Sequence, residues 1–134
     1  MLTFSHVSAG YGGVPVLHDI SFEVSEGETV ALFGHNGAGK TTLLRCAVGD
    51  VADIAGVVSY RQEAIAAGAV FRNTRRGIGF VPQGHNVFRD LTVRQNLTIA
   101  GLHQGEAQVE DIYRLFPILQ ERHGQLAGSL SGGQ

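Results

Sequence analysis

One segment, Gly34-His35-Asn36-Gly37-Ala38-Gly39-Lys40-Thr41-Thr42, constrains this chain more than any other part of it. It fits the spacing G-x-x-x-x-G-K-[ST] at every fixed position. The residues before it, Thr29-Val30-Ala31-Leu32-Phe33, are mostly apolar with β-branched members and predict a short buried strand. The residues after it, Thr41 to Val48, have helical spacing and run into Gly49, which suits the left-handed position past a helix end. Three glycines let the backbone approach a phosphate with no Cβ in the way. The loop's N–H groups then turn inward as an anion nest at the positive end of the helix. Lys40 adds a point charge for β- and γ-phosphates, and the Thr41 hydroxyl adds a ligand for Mg²⁺. Thr42 either offers a hydroxyl to the α-phosphate or continues the helix. The competing reading, a glycine-rich turn that binds nothing, requires every fixed position to be filled by accident. The segment implies a chain that binds ATP or a related triphosphate with Mg²⁺, or that descends from one that did.

Composition narrows the class without choosing a function. At 43% apolar and 16% charged residues, with a net charge of −2, the chain is an ordinary globular type. Nothing in that balance suggests nucleic acid, and the small cluster Arg72, Arg75 and Arg76 reads as solvated surface. No run approaches the roughly 18 apolar residues of a spanning helix, so no transmembrane segment is expected. The N-terminus lacks the basic start and apolar core of a signal peptide. The single cysteine, Cys46, excludes an intrachain disulfide, fits the cytosol and reads as a small buried residue of the helix. Six histidines, His35, His85 and His123 among them, show no metal-ligand spacing.

A second motif, Leu130-Ser131-Gly132-Gly133-Gln134, would by itself read as a loop or linker. Paired with the phosphate loop, it resembles the signature of the ATP-binding cassette (ABC) family, L-S-G-G-Q. The resemblance implies that Ser131, Gly132, Gly133 and Gln134 act in trans. They would close over the γ-phosphate held by a second ATP-binding subunit in a head-to-tail dimer. Ser131 also suits the N-cap of a helix starting there. Phe80-Val81-Pro82-Gln83 resembles the family's Q-loop, in which Gln83 would meet Mg²⁺ and the attacking water. A side-chain amide both accepts and donates, which fits that task. Tyr11, within Ala9-Gly10-Tyr11-Gly12-Gly13, matches the aromatic residue that stacks on adenine. Its bland alternative is a hairpin-turn tyrosine packed on the sheet. Leu17 to Glu28 resembles the strand and turn that lead into the phosphate loop, and the matches span the whole chain in family order. The implied fold is α/β, a P-loop NTPase core of ABC type with N-terminal antiparallel strands over 1–84. A helical subdomain would follow over 85–134.

Element by element, residues 2–7 and about 14–24 alternate as strands. Val16, Ile20, Phe22 and Val24 fall on one side; Leu17, Ser21 and Glu23 fall on the other. Residues 56–60 read as a further strand and Ile78 to Val81 as a short buried one. The stretch 61–76 is the least legible. Glu63 to Ala67 offers a helical turn that Gly68 and the arginines interrupt. Thr92 suits the cap of a helix from Val93 to Ala100 ended by Gly101. A second helix is expected from Glu106 to Phe116, broken at Pro117, with a further turn to Arg122.

The resemblance also shows what these residues do not contain. The family's Asp-Glu pair at the end of an apolar strand, and its later switch histidine, follow the signature. Asp50, Asp53, Glu106, Glu110 and Asp111 do not sit at such a strand end. The expectation is a partial domain that binds ATP and does not hydrolyse it alone, because phosphoryl transfer depends on positioned charge. Its middle layer would be incomplete, leaving Val30 and Leu32 along an exposed, aggregation-prone edge. Gly77 to Phe88, Leu91 to Leu97, Leu115-Phe116-Pro117 and Leu126-Ala127-Gly128 resemble the importer ATPases for branched-chain amino acids or urea. This chain departs from that branch in carrying Gln95 and Gln83 where members often, or sometimes, carry Glu. The branch implies membrane permease partners, with Phe88 and Leu91 near the receiving groove. It also implies a peripheral place at the cytoplasmic face of the inner membrane. Three alternatives stay open: a defunct nucleotide-binding module, an ABC protein that remodels nucleic acid or ribosomes, and a P-loop kinase. Neutral charge and the lack of a coiled-coil insertion disfavour the second. The Q-loop and signature disfavour the third.

Overall fold

The computed structural model describes residues 1–84, 86–101 and 107–131. They divide into two compact units, Met1–Phe80 and Val81–Gln134.

The first unit is built on two alternating strands, β1 (Leu2–Tyr11) and β2 (Val14–Val24), joined antiparallel by a two-residue turn. Gly12 and Gly13 both take positive φ there, +57° and +78°, as the tight hairpin turn that matches strand twist requires. β3 (Asp53–Tyr60) pairs with the other edge of β1, and the short β4 (Glu63–Ala64) pairs with β3. The sheet order is β2-β1-β3-β4. Helices α1 (Lys40–Val48) and α2 (Val70–Thr74) belong to the same unit. The core gathers Phe4, Val7, Ala9, Leu17, Cys46, Val51 and Val58, and Phe4 stacks on Phe22 at 4.6 Å between ring centroids.

Leu17 corrects the simple alternation expected of β2. It is 5% exposed and part of the core, although the period-2 pattern places it on the side away from Val16 and Ile20. The cause is a facing pair of left-handed residues, His6 at φ +51° and Asp19 at +50°, where the β1–β2 register shifts. An extra residue in a strand reverses which face the following side chains occupy. The irregularity is held by polar contacts. His6 Nδ1 lies 2.7 Å from Asp19 Oδ1, His6 N–H donates to Ser21 Oγ, and Asp19 N–H donates to Ser8 Oγ.

Two expected strands are absent. Residues 29–33 and 78–81 take no strand pairing, and Val30, Leu32 and Val81 are exposed, as is Phe33 at 88%. Apolar, β-branched composition favours a strand, but only a hydrogen-bonded neighbour makes one. The stretch 61–76 also differs from its expected helical turn at 63–67. Arg61 and Gln62 form a tight turn at φ +51° and +68°, Glu63–Ala64 extend the sheet, and the helix begins only at Val70. Arg76 is not solvated surface. Its guanidinium donates to the carbonyls of Tyr60, Glu63 and Ala64 and pairs with Glu63 Oε2 at 3.1 Å, clamping that strained turn.

Gly49 ends α1 as its position suggested, at φ +77°. Its N–H donates to the Cys46 carbonyl and that of Asp50 to the Arg45 carbonyl, the paired bonds of a Schellman ending. Asn73, 1% exposed, anchors the same corner. Its Nδ2 donates to the carbonyls of Val48 and Ala66, and its Oδ1 accepts from the Ala66 N–H.

The second unit is helical: α3 (Val93–Ala100), α4 (Ala107–Leu115), α5 (Pro117–Glu121) and a 3₁₀ turn over Ala127–Ser129. Thr92 caps α3 as expected and Gln95 completes a capping box. Thr92 Oγ1 accepts from Gln95 N–H at 3.2 Å, while Gln95 Oε1 accepts from Thr92 N–H at 2.8 Å. Pro117 opens α5 and so breaks it from α4. The expected start at Glu106 lies outside the described residues. Among the described residues no helix is long and apolar enough to cross a membrane.

Candidate nucleotide-binding site

The phosphate-loop segment leaves residues 29–33 and turns at Gly37 and Gly39, with φ of +86° and +88°, before entering α1. The two glycines are needed for different reasons. A Cβ on Gly37 would meet nothing within 4 Å, so only its backbone angle calls for glycine. A Cβ on Gly39 would stand 2.8 Å from Leu17 Cδ2 and 3.4 Å from Val16 Cγ1, so there β2 leaves no room as well. Gly39 is also the N-cap of α1. No side chain caps that first turn and no acidic residue lies in it. Its backbone N–H groups and the helix dipole therefore present an uncontested positive end to an anion.

Lys40 reinforces that polarity from within the loop. Its Nζ donates to the carbonyls of Gly34 and His35, both at 2.7 Å. An ammonium has three hydrogens, so two hold the loop and one is left for a ligand. His35, Asn36, Gly37, Ala38 and Thr41 are exposed, whereas Thr42 is buried on the face of α1 that also carries Cys46. Burial pushes the Cys46 thiol above its ordinary range, which makes it inert rather than nucleophilic. The loop thus fits a triphosphate with its metal: glycine backbone, a helix N-terminus, one lysine and one exposed threonine hydroxyl.

Tyr11 closes β1 and is 43% exposed, with a ring available for stacking. Arg45 of α1 lies near it, and the Tyr11 side chain is the main reason that Arg45 holds its proton even above its usual range. Arg45 Nε also lies 3.7 Å from Asp50 Oδ2. Sequence reading missed Arg45, because nothing in its spacing from Lys40 marks a partner at the far end of β1.

The remaining candidates belong to the second unit. Gln83 is exposed and precedes Gly84 at φ +74°. Ser131 is exposed just past the 3₁₀ turn; Gly132, Gly133 and Gln134 lie outside the described residues, as does His85. Ser131 lines a cleft of about 620 Å³ together with Val87, Val93, Asn96, Leu97 and Leu130. Asn96 shapes the loop above it. Its amide donates to the carbonyls of Phe88, Leu91 and Thr92 and accepts from the Phe88 N–H at 2.7 Å. Phe88 itself is exposed and Leu91 half-buried. Among the described residues, no group of three or more histidine, cysteine or acidic side chains could hold a metal.

A phosphate loop leading into a helix behind an antiparallel sheet, followed by a helical unit, defines a class of nucleotide-binding proteins. The family model described as ABC transporter matches residues 17–134, and the chain belongs to that family. It is 41% identical to the high-affinity branched-chain amino acid transport ATP-binding protein BraG of Pseudomonas aeruginosa, over all of this chain and 59% of that protein. It is 36% identical to the lipopolysaccharide export system ATP-binding protein LptB of Escherichia coli K12, over 99% of this chain and 58% of that one. Among solved structures, the ATP-binding subunit of an ABC transporter superposes with a TM-score of 0.80 at 31% identity. That match covers 99% of this chain and 57% of the other. The chain therefore spans somewhat under two thirds of the proteins it matches, and its fold is of the α/β ABC type.

Proposed function

We propose that this chain is the nucleotide-binding portion of an ATP-binding subunit of an importer, and that the solute is a branched-chain amino acid. The observation that carries the nucleotide reading is the phosphate loop, with left-handed Gly37 and Gly39, an uncapped α1 and Lys40 folded across it. The solute reading is supported by the 41% identity to BraG.

In this reading Tyr11 stacks on adenine, and Gly34, His35, Asn36, Gly37, Ala38, Gly39, Lys40 and Thr42 cradle the phosphates. Thr41 and Gln83 share Mg²⁺. Ser131, Gly132, Gly133 and Gln134 act on the nucleotide held by a second ATP-binding subunit. A permease helix meets the loop of Phe88 and Leu91, at the cytoplasmic face of the inner membrane. Bound MgATP supplies the transferable phosphoryl group. These residues by themselves bind it without hydrolysing it, since among the described residues no acidic side chain ends an apolar strand to serve as base.

The test is equilibrium binding of a fluorescent ATP analogue to wild type and Lys40→Ala. Loss of one charge-assisted contact is worth about 1.5–3 kcal/mol. That weakens binding about 10- to 150-fold. Equal affinity of the two proteins would remove the role given to Lys40. One observation favours a second reading: the 36% identity to LptB supports an exporter using the same nucleotide chemistry. Uptake of labelled leucine by cells carrying Lys40→Ala in the intact gene separates the two. Import requires that uptake collapse, and undiminished uptake points to export.

A further inference from the structure

The helical unit carries another cleft, of about 310 Å³, built from residues that the nucleotide reading does not use. Arg94 and Thr98 of α3, Glu110 and Tyr113 of α4, and His123 beyond α5 line it. Tyr113 is 7% exposed, and its hydroxyl is shielded from water with no hydrogen-bond partner among the described residues. Buried hydroxyls are almost always partnered, and an exception calls for a physical reason.

Among the described residues, the guanidinium of Arg94 and the carboxylate of Glu110 form no ion pair. The Thr98 hydroxyl donates to the Arg94 carbonyl at 2.9 Å, which leaves its lone pairs for a donor. His123 Nδ1 lies 2.8 Å from the Gln120 carbonyl. A carbonyl oxygen only accepts, so Nδ1 carries the hydrogen, and Nε2 without a proton is an acceptor.

The cleft thus presents one planar cation, acceptors on Thr98, Glu110 and His123, and an apolar wall from Val109 and the Tyr113 ring. A guanidinium fork matches a carboxylate; a carboxylate and an imidazole lone pair match an ammonium. A dicarboxylate would face Glu110, a simple amine would face Arg94, and a neutral solute would leave both charges unanswered. The volume lies at the small end of ligand sites and suits a molecule of a few carbon atoms.

We propose that this cleft binds a free α-amino acid with a short apolar side chain, its carboxylate on Arg94 and its ammonium toward Glu110 and His123. The inference stands on the cleft alone and does not require the transport reading.

The test titrates the chain with L-leucine, following thermal stability and NMR shifts. Leucinamide and 4-methylpentanoate serve as ligands lacking one charge each. Leucine should bind saturably, and each analogue should bind about tenfold or more weakly. Arg94→Ala and Glu110→Gln, both at exposed positions, should keep the fold by circular dichroism and weaken leucine to a similar extent. Tyr113→Phe should raise the ligand-free Tm, because it deletes an unpartnered hydroxyl. No saturable binding of leucine would overturn the proposal. So would leucine binding that Arg94→Ala and Glu110→Gln leave unchanged, or leucinamide binding as tightly as leucine.

Discussion

Replacing Gly39 with alanine tests whether the phosphate loop is shaped by backbone angle alone or also by its contact with β2. At φ +88°, an alanine occupies the left-handed region, which costs about 1–2 kcal/mol. Its methyl carbon would also stand 2.8 Å from Leu17 Cδ2. Leu17 is a core residue and cannot swing into solvent, so the overlap is resolved by shifts of the kind that cost about 1–3 kcal/mol. The sum, about 2–5 kcal/mol, is a large part of the roughly 5–15 kcal/mol by which a domain is usually stable. Gly37→Ala supplies the control. It has nearly the same φ, +86°, but open space around the added carbon, so only the angular cost of about 1–2 kcal/mol applies. Urea unfolding of the three proteins, with equal m-values, should place Gly39→Ala below Gly37→Ala by about 1–3 kcal/mol. Equal midpoints for the two variants would refute the packing argument. A less stable Gly37→Ala would refute the geometry itself.

Three further outcomes follow from the same structure. Asn73→Leu should lower stability by about 2–5 kcal/mol in urea unfolding, because the Val48 and Ala66 carbonyls and the Ala66 N–H each lose a partner; a loss under about 0.5 kcal/mol would mean water replaces it freely. Gln95→Ala should cost about 0.5–1 kcal/mol of stability and fray the start of α3 by amide exchange, whereas Gln95→Glu should keep the capping box; equal fraying in both would show the cap to be inert. Burial raises the Cys46 thiol, so the unfolded chain releases that proton first as pH rises. The contribution of Cys46 is full below the ordinary thiol range and is lost as pH climbs through and above it. The urea midpoint should therefore fall from neutral pH to about pH 9.5, and the fall should shrink in Cys46→Ala; identical pH profiles would remove the thiol from the account.

The features that were legible in the sequence are those whose mechanism fits within a few residues. The left-handed glycines of the loop, Gly49 past α1, Thr92 before α3 and Pro117 at the break between α4 and α5 all act on backbone groups one turn away. What was not legible depends on partners far along the chain. Residues 29–33 have the composition of a strand but no neighbour on which to build a ladder. The buried place of Leu17 is decided by the facing irregularities at His6 and Asp19, thirteen residues apart in sequence. Asn73 reaches a carbonyl twenty-five residues away and Arg76 one sixteen residues away, and no local spacing announces either bond. For the site, residue identity suggests the cradle, but not that Lys40 turns back on Gly34 and His35.

The turned-back lysine has a kinetic consequence. Lys40, bonded to the Gly34 and His35 carbonyls, restrains the loop without any ligand, so part of its conformational entropy is lost during folding rather than at the encounter. On the proposed reading, a triphosphate would meet a loop already held by that ammonium, with one hydrogen left to reorient. Arrival and capture would then merge into one event, whose rate would follow ligand concentration and ionic strength.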